Sequence, residues 1–188
     1  MAGQRSILEG LVMPILFDNI YRGKTVLITG HTGFKGSWLS YWLTALGAHV
    51  VGYSNEDQTK PSHWSLLNLQ VESELGDIAD QQKLENVFKK HRPGIVFHLA
   101  AQSLVRRSYL DPIETYRANV MGTLTVFESA RKTQFSGGII NVTTDKCYDN
   151  KEQLVPYTES DPMGGFDPYS SSKGCSEIAT QSYRSSFF

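Results

Sequence analysis

The stretch Thr25-Val26-Leu27-Ile28-Thr29-Gly30-His31-Thr32-Gly33-Phe34-Lys35-Gly36 constrains the fold more than any other part of the chain. Val26, Leu27 and Ile28 form a short apolar run suited to a strand buried on both faces. Glycines follow at G-x-x-G-x-x-G spacing. Trp38, Leu39, Trp42, Leu43 and Leu46 then recur at helical intervals as far as Gly47, the mark of an amphipathic helix with a glycine stop. Strand, glycine turn and helix, in this order, make the setting in which such glycines bind a dinucleotide. Gly30 supplies a tight turn, Gly33 leaves room for a diphosphate against the backbone, and Gly36 lets the helix lie close to the strand. The helix N-terminus adds free N–H groups and partial positive charge. Candidate cofactor contacts here are Gly30, Thr32, Gly33, Phe34, Lys35 and Gly36; the alternative is a plain tight turn between core elements.

Composition sets bounds on the rest. A chain of 188 residues, 40% hydrophobic and 20% charged, has the make-up of one sizeable globular domain. A net charge of -1 gives no electrostatic case for binding nucleic acid or an anionic membrane. Cys147 and Cys175 lack metal-ligand spacing and read as free thiols of a reducing cytoplasm. No apolar run reaches the roughly 20 residues of a membrane helix. Residues 1–20 read as a leader ahead of a dinucleotide-binding domain at 21–188, and residues 1–12 precede a second methionine, Met13, where a more protein-like beginning starts.

Strands alternate with helices along the chain. Ala48–Tyr53 reads as the second strand, Ser54–Ser62 as a loop, Val71–Asp77 as a weaker third strand and Ile95–Ala100 as a buried fourth. Asp80 can cap a helix whose apolar side is Leu84, Val87 and Phe88, with Pro93 beyond its end. After a short helical segment through Leu104 and Val105, Asp111-Pro112-Ile113-Glu114 is a strong helix start, predicting a helix to about Lys132 with Tyr116, Val120, Leu124 and Phe127 inward. Gly138–Thr143 is the fifth strand, and a last helix begins near Pro168. Helical crossovers impose parallel strands, so the expected fold is α/β: a Rossmann-type doubly wound sheet of order 3-2-1-4-5 with its ligand at the carboxyl edge.

That edge supplies further candidates. Glu56, just past the second strand, is the choice for the adenosine ribose, against a merely solvated loop charge; no arginine lies there to hold a 2′-phosphate, which favours NAD over NADP. Asp77 and Ile78 would meet the adenine. Leu99, Ala100, Ala101 and Gln102 end the fourth strand with small residues that admit a cofactor. His98 reads as a satisfied core histidine. Arg106 and Arg107 read as a solvated helix face, with approach to a bound substrate or a subunit contact as the alternative.

Tyr169-Ser-Ser-Ser-Lys173 sets a phenol and an ammonium one helical turn apart, with Thr143 and Thr144 upstream. A free phenol is a poor base at neutral pH, and a nearby cation favours its phenolate. Alone, this spacing is more often a surface pair.

Taken together, TGHTGFKG, GDI, FHLAAQ, NVMGT, Thr144-Asp145-Lys146 and YSSSK make the chain resemble the extended short-chain dehydrogenase/reductase family from about Ile20 to Phe188. Gly30–Leu39, Val142–Asn150 and Pro162–Tyr169 look like the CDP-glucose 4,6-dehydratase branch. The resemblance implies NAD as cofactor and Thr144, Tyr169 and Lys173 as a catalytic trio, with Asn119 supporting the lysine through a water relay. It implies oxidation of CDP-glucose at C4, loss of water across C5 and C6, and hydride return to C6. Asp145 would protonate the departing hydroxyl and Lys146 would take the C5 proton. Related dehydratases carry Asp-Glu where this chain has Asp145-Lys146, which leaves the C5 acceptor open. The resemblance also implies a homodimer built on paired helices, and about as much chain again carrying most of the sugar-nucleotide pocket, so turnover by these residues alone is not expected. A 4-epimerase of the same family and a non-catalytic NAD-binding module are the rival readings.

Overall fold

A computed structural model describes residues 16–55 and 60–188. Its centre is a five-stranded sheet, β1 (Thr25–Thr29), β2 (His49–Ser54), β3 (Glu72–Leu75), β4 (Ile95–His98) and β5 (Gly138–Asn141), in the order β3-β2-β1-β4-β5. Every pairing is parallel, with Val26 opposite both Val50 and Ile95, so all strand ends meet at one edge. Side chains alternate across the sheet. Leu27, Val51 and Val96 pack with Leu84, Val87 and Phe88 of α3 (Gln81–His91) and with Val126 and Ala130 of α6 (Gly122–Lys132). Val26, Ile28 and Val50 face Leu43 of α1 (Phe34–Ala45) on the other side. The remaining helices are α2 (His63–Leu67), α4 (Val105–Leu110), α5 (Pro112–Tyr116) and α7 (Pro168–Ser186).

The expected strand order is found, and Asp80, Asp111 and Asp167 each cap a helix through a backbone N–H three residues on. Three expectations change. On α1 the buried residues are Gly36, Ser37, Ser40 and Leu43, whereas Trp38 and Trp42 are about half exposed. Small residues let this helix settle onto β1 and turn both indoles outward, where Trp42 meets Phe17. A helix also occupies 63–67, closed by a reciprocal capping box between Ser62 and Ser65. Finally, Glu114 does not reach back to its own cap but binds Arg117.

α5 and α6 form one continuous helical run, joined by a π-helical turn over Arg117–Met121. The extra residue shifts the buried stripe to Thr115, Asn119, Thr123, Val126, Phe127 and Ala130, leaving Tyr116, Val120 and Leu124 only partly covered.

The interior between α6, α7 and the sheet is notably polar. His98 is buried, with Nδ1 on the Thr29 hydroxyl at 2.7 Å and Nε2 on that of Thr123 at 3.1 Å; Thr123 also meets Ser176 at 3.0 Å. It is the satisfied core histidine expected. Burial, and secondarily the charge of Lys173, pull its imidazole down to about 3. The unfolded chain takes up that proton near 6.5, so stability is whole above this pH and falls as pH drops from there toward 3, by up to about 1.4 kcal/mol per unit. Chemical denaturation between pH 8 and 4 checks this: His98→Asn is expected to be less stable at pH 8 but to lose much of the slope below 6.5.

Candidate active site

At the carboxyl edge, the end of β1 turns sharply at Gly30, which has φ of +75° and accommodates Ala100 so closely that a Cβ would lie 2.7 Å from the Ala100 nitrogen. A Cβ on Gly36 would overlap the Gly30 carbonyl oxygen, so the start of α1 rests on the turn itself. Gly33 is the N-cap of α1, and no side chain caps that first turn. The amides there, together with Lys35, face a groove of about 670 Å³. A cradle of glycine backbone, helix-end N–H groups and one lysine has the chemistry to hold a diphosphate.

The groove brings most of the expected residues together. Thr32, Gly33, Phe34, Lys35 and Gly36 of the glycine turn line it together with Ile78 and with Leu99, Ala100, Ala101 and Gln102 after β4. Thr143, Tyr169 and Lys173 line it too. Glu56 lies outside the described residues; Ser54 and Asn55, next to it in sequence, do line the groove.

Lys173 is 6% exposed, and its Nζ donates to the Val142 carbonyl at 3.4 Å. Burial, with the charge of Lys35 adding to it, brings this ammonium down to about 8, while Glu177 acts the other way. Tyr169 precedes it by one turn of α7, so both project to the same side.

Other candidates stand differently. The Asp77 carboxylate does not line the groove: Arg117 grips it at 2.6 and 3.1 Å, and it accepts from the Ala79 N–H at 2.8 Å. These bonds hold it below the usual carboxylate range, the Arg117 pair being the main cause. Asn119 is 1% exposed and has three protein hydrogen bonds. It accepts from the Gln102 N–H and donates to the Gln102 carbonyl and to the Ser172 hydroxyl. Both amide protons are thereby used, tying the end of β4 to α7.

Thr144, Asp145 and Lys146 also fall outside the groove lining. Thr144 caps the short 3₁₀ turn Asp145–Cys147, accepting from the Lys146 N–H, and donates its hydroxyl to the Asp145 carboxylate at 3.0 Å. Asp145 and Lys146 are exposed, one step beyond Thr143.

Arg107 lies on the groove, the alternative to a solvated face. Of the lining residues that the sequence does not point to, Glu114 of α5 borders it too. His63 borders the glycine turn, its Nδ1 2.6 Å from the Ser37 hydroxyl and its ring stacked on Trp38 with centroids 4.6 Å apart. Ser62-x-x-Ser65 was the available sign of a helix start there.

The GDP-mannose 4,6 dehydratase family matches residues 27–187. The chain belongs to that family. It is 52% identical over 172 residues to CDP-glucose 4,6-dehydratase of Salmonella typhimurium, covering 90% of this chain and 48% of that protein. It is 31% identical over 185 residues to dTDP-glucose 4,6-dehydratase of Haemophilus influenzae, covering 86% of the chain and 52% of the relative. Among solved structures, UDP-glucose 4-epimerase of Brucella ovis in complex with NAD superposes with a TM-score of 0.78 at 30% identity, over 88% of this chain and 49% of that one. The chain thus spans about half the length of the curated relatives it matches. Family members of both kinds, dehydratases and epimerases, act on sugar nucleotides according to their names.

Proposed function

We propose that this chain carries the cofactor-binding and proton-transfer groups of an NAD-dependent CDP-glucose 4,6-dehydratase. The observation that carries the reading is the joint position of Tyr169 and Lys173 on the same groove as the glycine turn. The 52% identity to a CDP-glucose 4,6-dehydratase supports the substrate.

The fit to NAD rests on the cradle formed by Gly30, Gly33 and Gly36, on Lys35 beside it, and on the small residues Ala100 and Ala101 that line the groove. When bound, NAD accepts a hydride from sugar C4 and returns it at C6. The protein's own part is to move protons. Tyr169 takes the proton of the C4 hydroxyl, with Lys173 stabilising the phenolate from one turn away. The C4 ketone acidifies C5–H, and Lys146, as the neutral amine, takes that proton. Asp145, as the protonated acid, delivers its proton to the departing C6 hydroxyl, which leaves as water. Both groups lie on an exposed turn outside the groove lining, and this step requires them to turn toward the sugar.

The test uses the full-length protein with NAD and either CDP-glucose or UDP-glucose, following the base-induced absorbance of a 4-keto sugar. CDP-glucose is expected to give the signal. Conversion of UDP-glucose to its C4 epimer without a 4-keto product would instead favour an epimerase. Asp145→Asn combined with Lys146→Met is expected to permit C4 oxidation, seen as reduced nicotinamide, while slowing dehydration by about a hundredfold or more. Unchanged dehydration kinetics would remove both residues from the mechanism.

A further inference from the structure

The end of β5 is fastened to α7 by three consecutive residues. Asn141 donates to Ser176 and Thr180 at 3.1 and 2.8 Å, the Val142 carbonyl accepts from Lys173 at 3.4 Å, and the Thr143 hydroxyl donates to the Glu177 carboxylate. Tyr169, Lys173 and Glu177 follow one another at four-residue spacing on the one helix, so they form a stripe along that seam.

We propose that Glu177 is a positioning residue for the Tyr169–Lys173 pair: through Thr143 it pins the end of β5 to α7, and it sets a negative charge one helical turn from Lys173. The role deepens the function proposed above and rests on it for its significance. Lys173 needs such a partner. It is almost wholly buried, its one oxygen contact is a long bond to a neutral carbonyl, and the charge nearest it in effect is another cation, Lys35. The other groups around it do not replace Glu177. Arg107 of α4 is a further cation on the groove, and Glu114 of α5 is held by Arg117. His98 of β4 is neutral above pH 3, while Tyr116 of α5 binds Ser171. In the turn below, Asp145 takes the Thr144 hydroxyl, and Cys147 is buried with its thiol pushed up by burial and then by Glu177 itself. The Glu177 carboxylate thus acts on both Lys173 and Cys147.

Glu177→Gln separates charge from packing, because the amide oxygen still accepts from Thr143. The measurement is the titration of Lys173 in the unliganded full-length protein, read from ¹³Cε-lysine NMR and assigned with Lys173→Met. In Glu177→Gln the Lys173 midpoint is expected to fall by about half a unit to one unit, as a single charge at about one helical turn in a largely aqueous dielectric gives. Glu177→Asp, which retains the charge, is expected to stay near the wild-type midpoint. The alkaline limb of any pH–rate profile should move with the NMR value. An unchanged midpoint in Glu177→Gln overturns the proposal, as does an equal fall in Glu177→Asp. If Glu177→Gln fails to fold, the Glu177→Asp comparison decides in the same sense. Since the readout involves neither NAD nor sugar, its failure leaves the dehydratase reading standing, and failure of CDP-glucose turnover leaves the titration interpretable.

Discussion

Lys173→Met is expected to stabilise the unliganded protein at pH 7 by up to about 3 kcal/mol while lowering turnover at least about a hundredfold. The sign follows from the direction of the Lys173 shift. Its ammonium titrates at about 8 in the fold, well below its ordinary value, because burial disfavours the charged form. Below pH 8 the folded protein therefore carries a buried charge that the unfolded chain would hold in water. That cost is fully present at pH 7 and is relieved as pH rises from about 8 toward 10.5. A methionine of similar length fills the same space without the charge and gives up the long bond to Val142 and the attraction of Glu177, which burial outweighs. Thermal or denaturant unfolding of both proteins should show the variant ahead at pH 7 and the gap closing by pH 10.5. A variant no more stable than wild type at pH 7 would mean that water or a neighbour compensates the charge. Residues under functional demand commonly cost stability in this way.

The second large effect is expected at Gly36. Alanine there improves helix propensity by about 1 kcal/mol, yet its methyl would overlap the Gly30 carbonyl oxygen and lie 2.8 Å from the His31 Cα. These are backbone atoms of the turn proposed to hold the diphosphate, so α1 must lift from β1. Overpacking of this kind costs about 1–3 kcal/mol, and displacement of the helix-end amides should weaken NAD binding at least about tenfold. Gly138→Ala is the matched control, since a Cβ there meets nothing within 4 Å. Titrating NAD into both variants by calorimetry checks the contrast; equal affinities would show that the turn can open without loss.

The sheet order was legible because Val26–Ile28, Ile95–Phe97 and the glycine turn express strong local preferences that agree with the global fold. That the glycine turn would border a groove at the strand ends was legible for the same reason. Other parts depend on distances that sequence does not carry. Trp38 and Trp42 satisfy a helical period, but which stripe faces the sheet was decided by the close approach that Gly36 and Ser40 permit. Arg107 sits among charged and polar neighbours in sequence, and only the fold of α4 across the strand ends brings it to the groove. Asp77 lies at the expected place, yet its partner Arg117 is 40 residues away. Thr144 shows local chemistry prevailing: a hydroxyl two residues ahead of a free N–H caps the turn it begins.

The π-helical turn at Arg117–Met121 acts as a spacer between two jobs of a single rod. Thr115 upstream of it and Asn119 within it hold Gln102, which lines the groove; downstream, Val126 and Ala130 enter the hydrophobic layer under the sheet. Removing one residue there would let the rod wind regularly but rotate its later half by about 100°. Val126 and Ala130 would swing off the sheet, and the Glu128–Arg131 ion pair on the outer side would be carried toward the apolar layer. This segment should therefore tolerate almost no change of length.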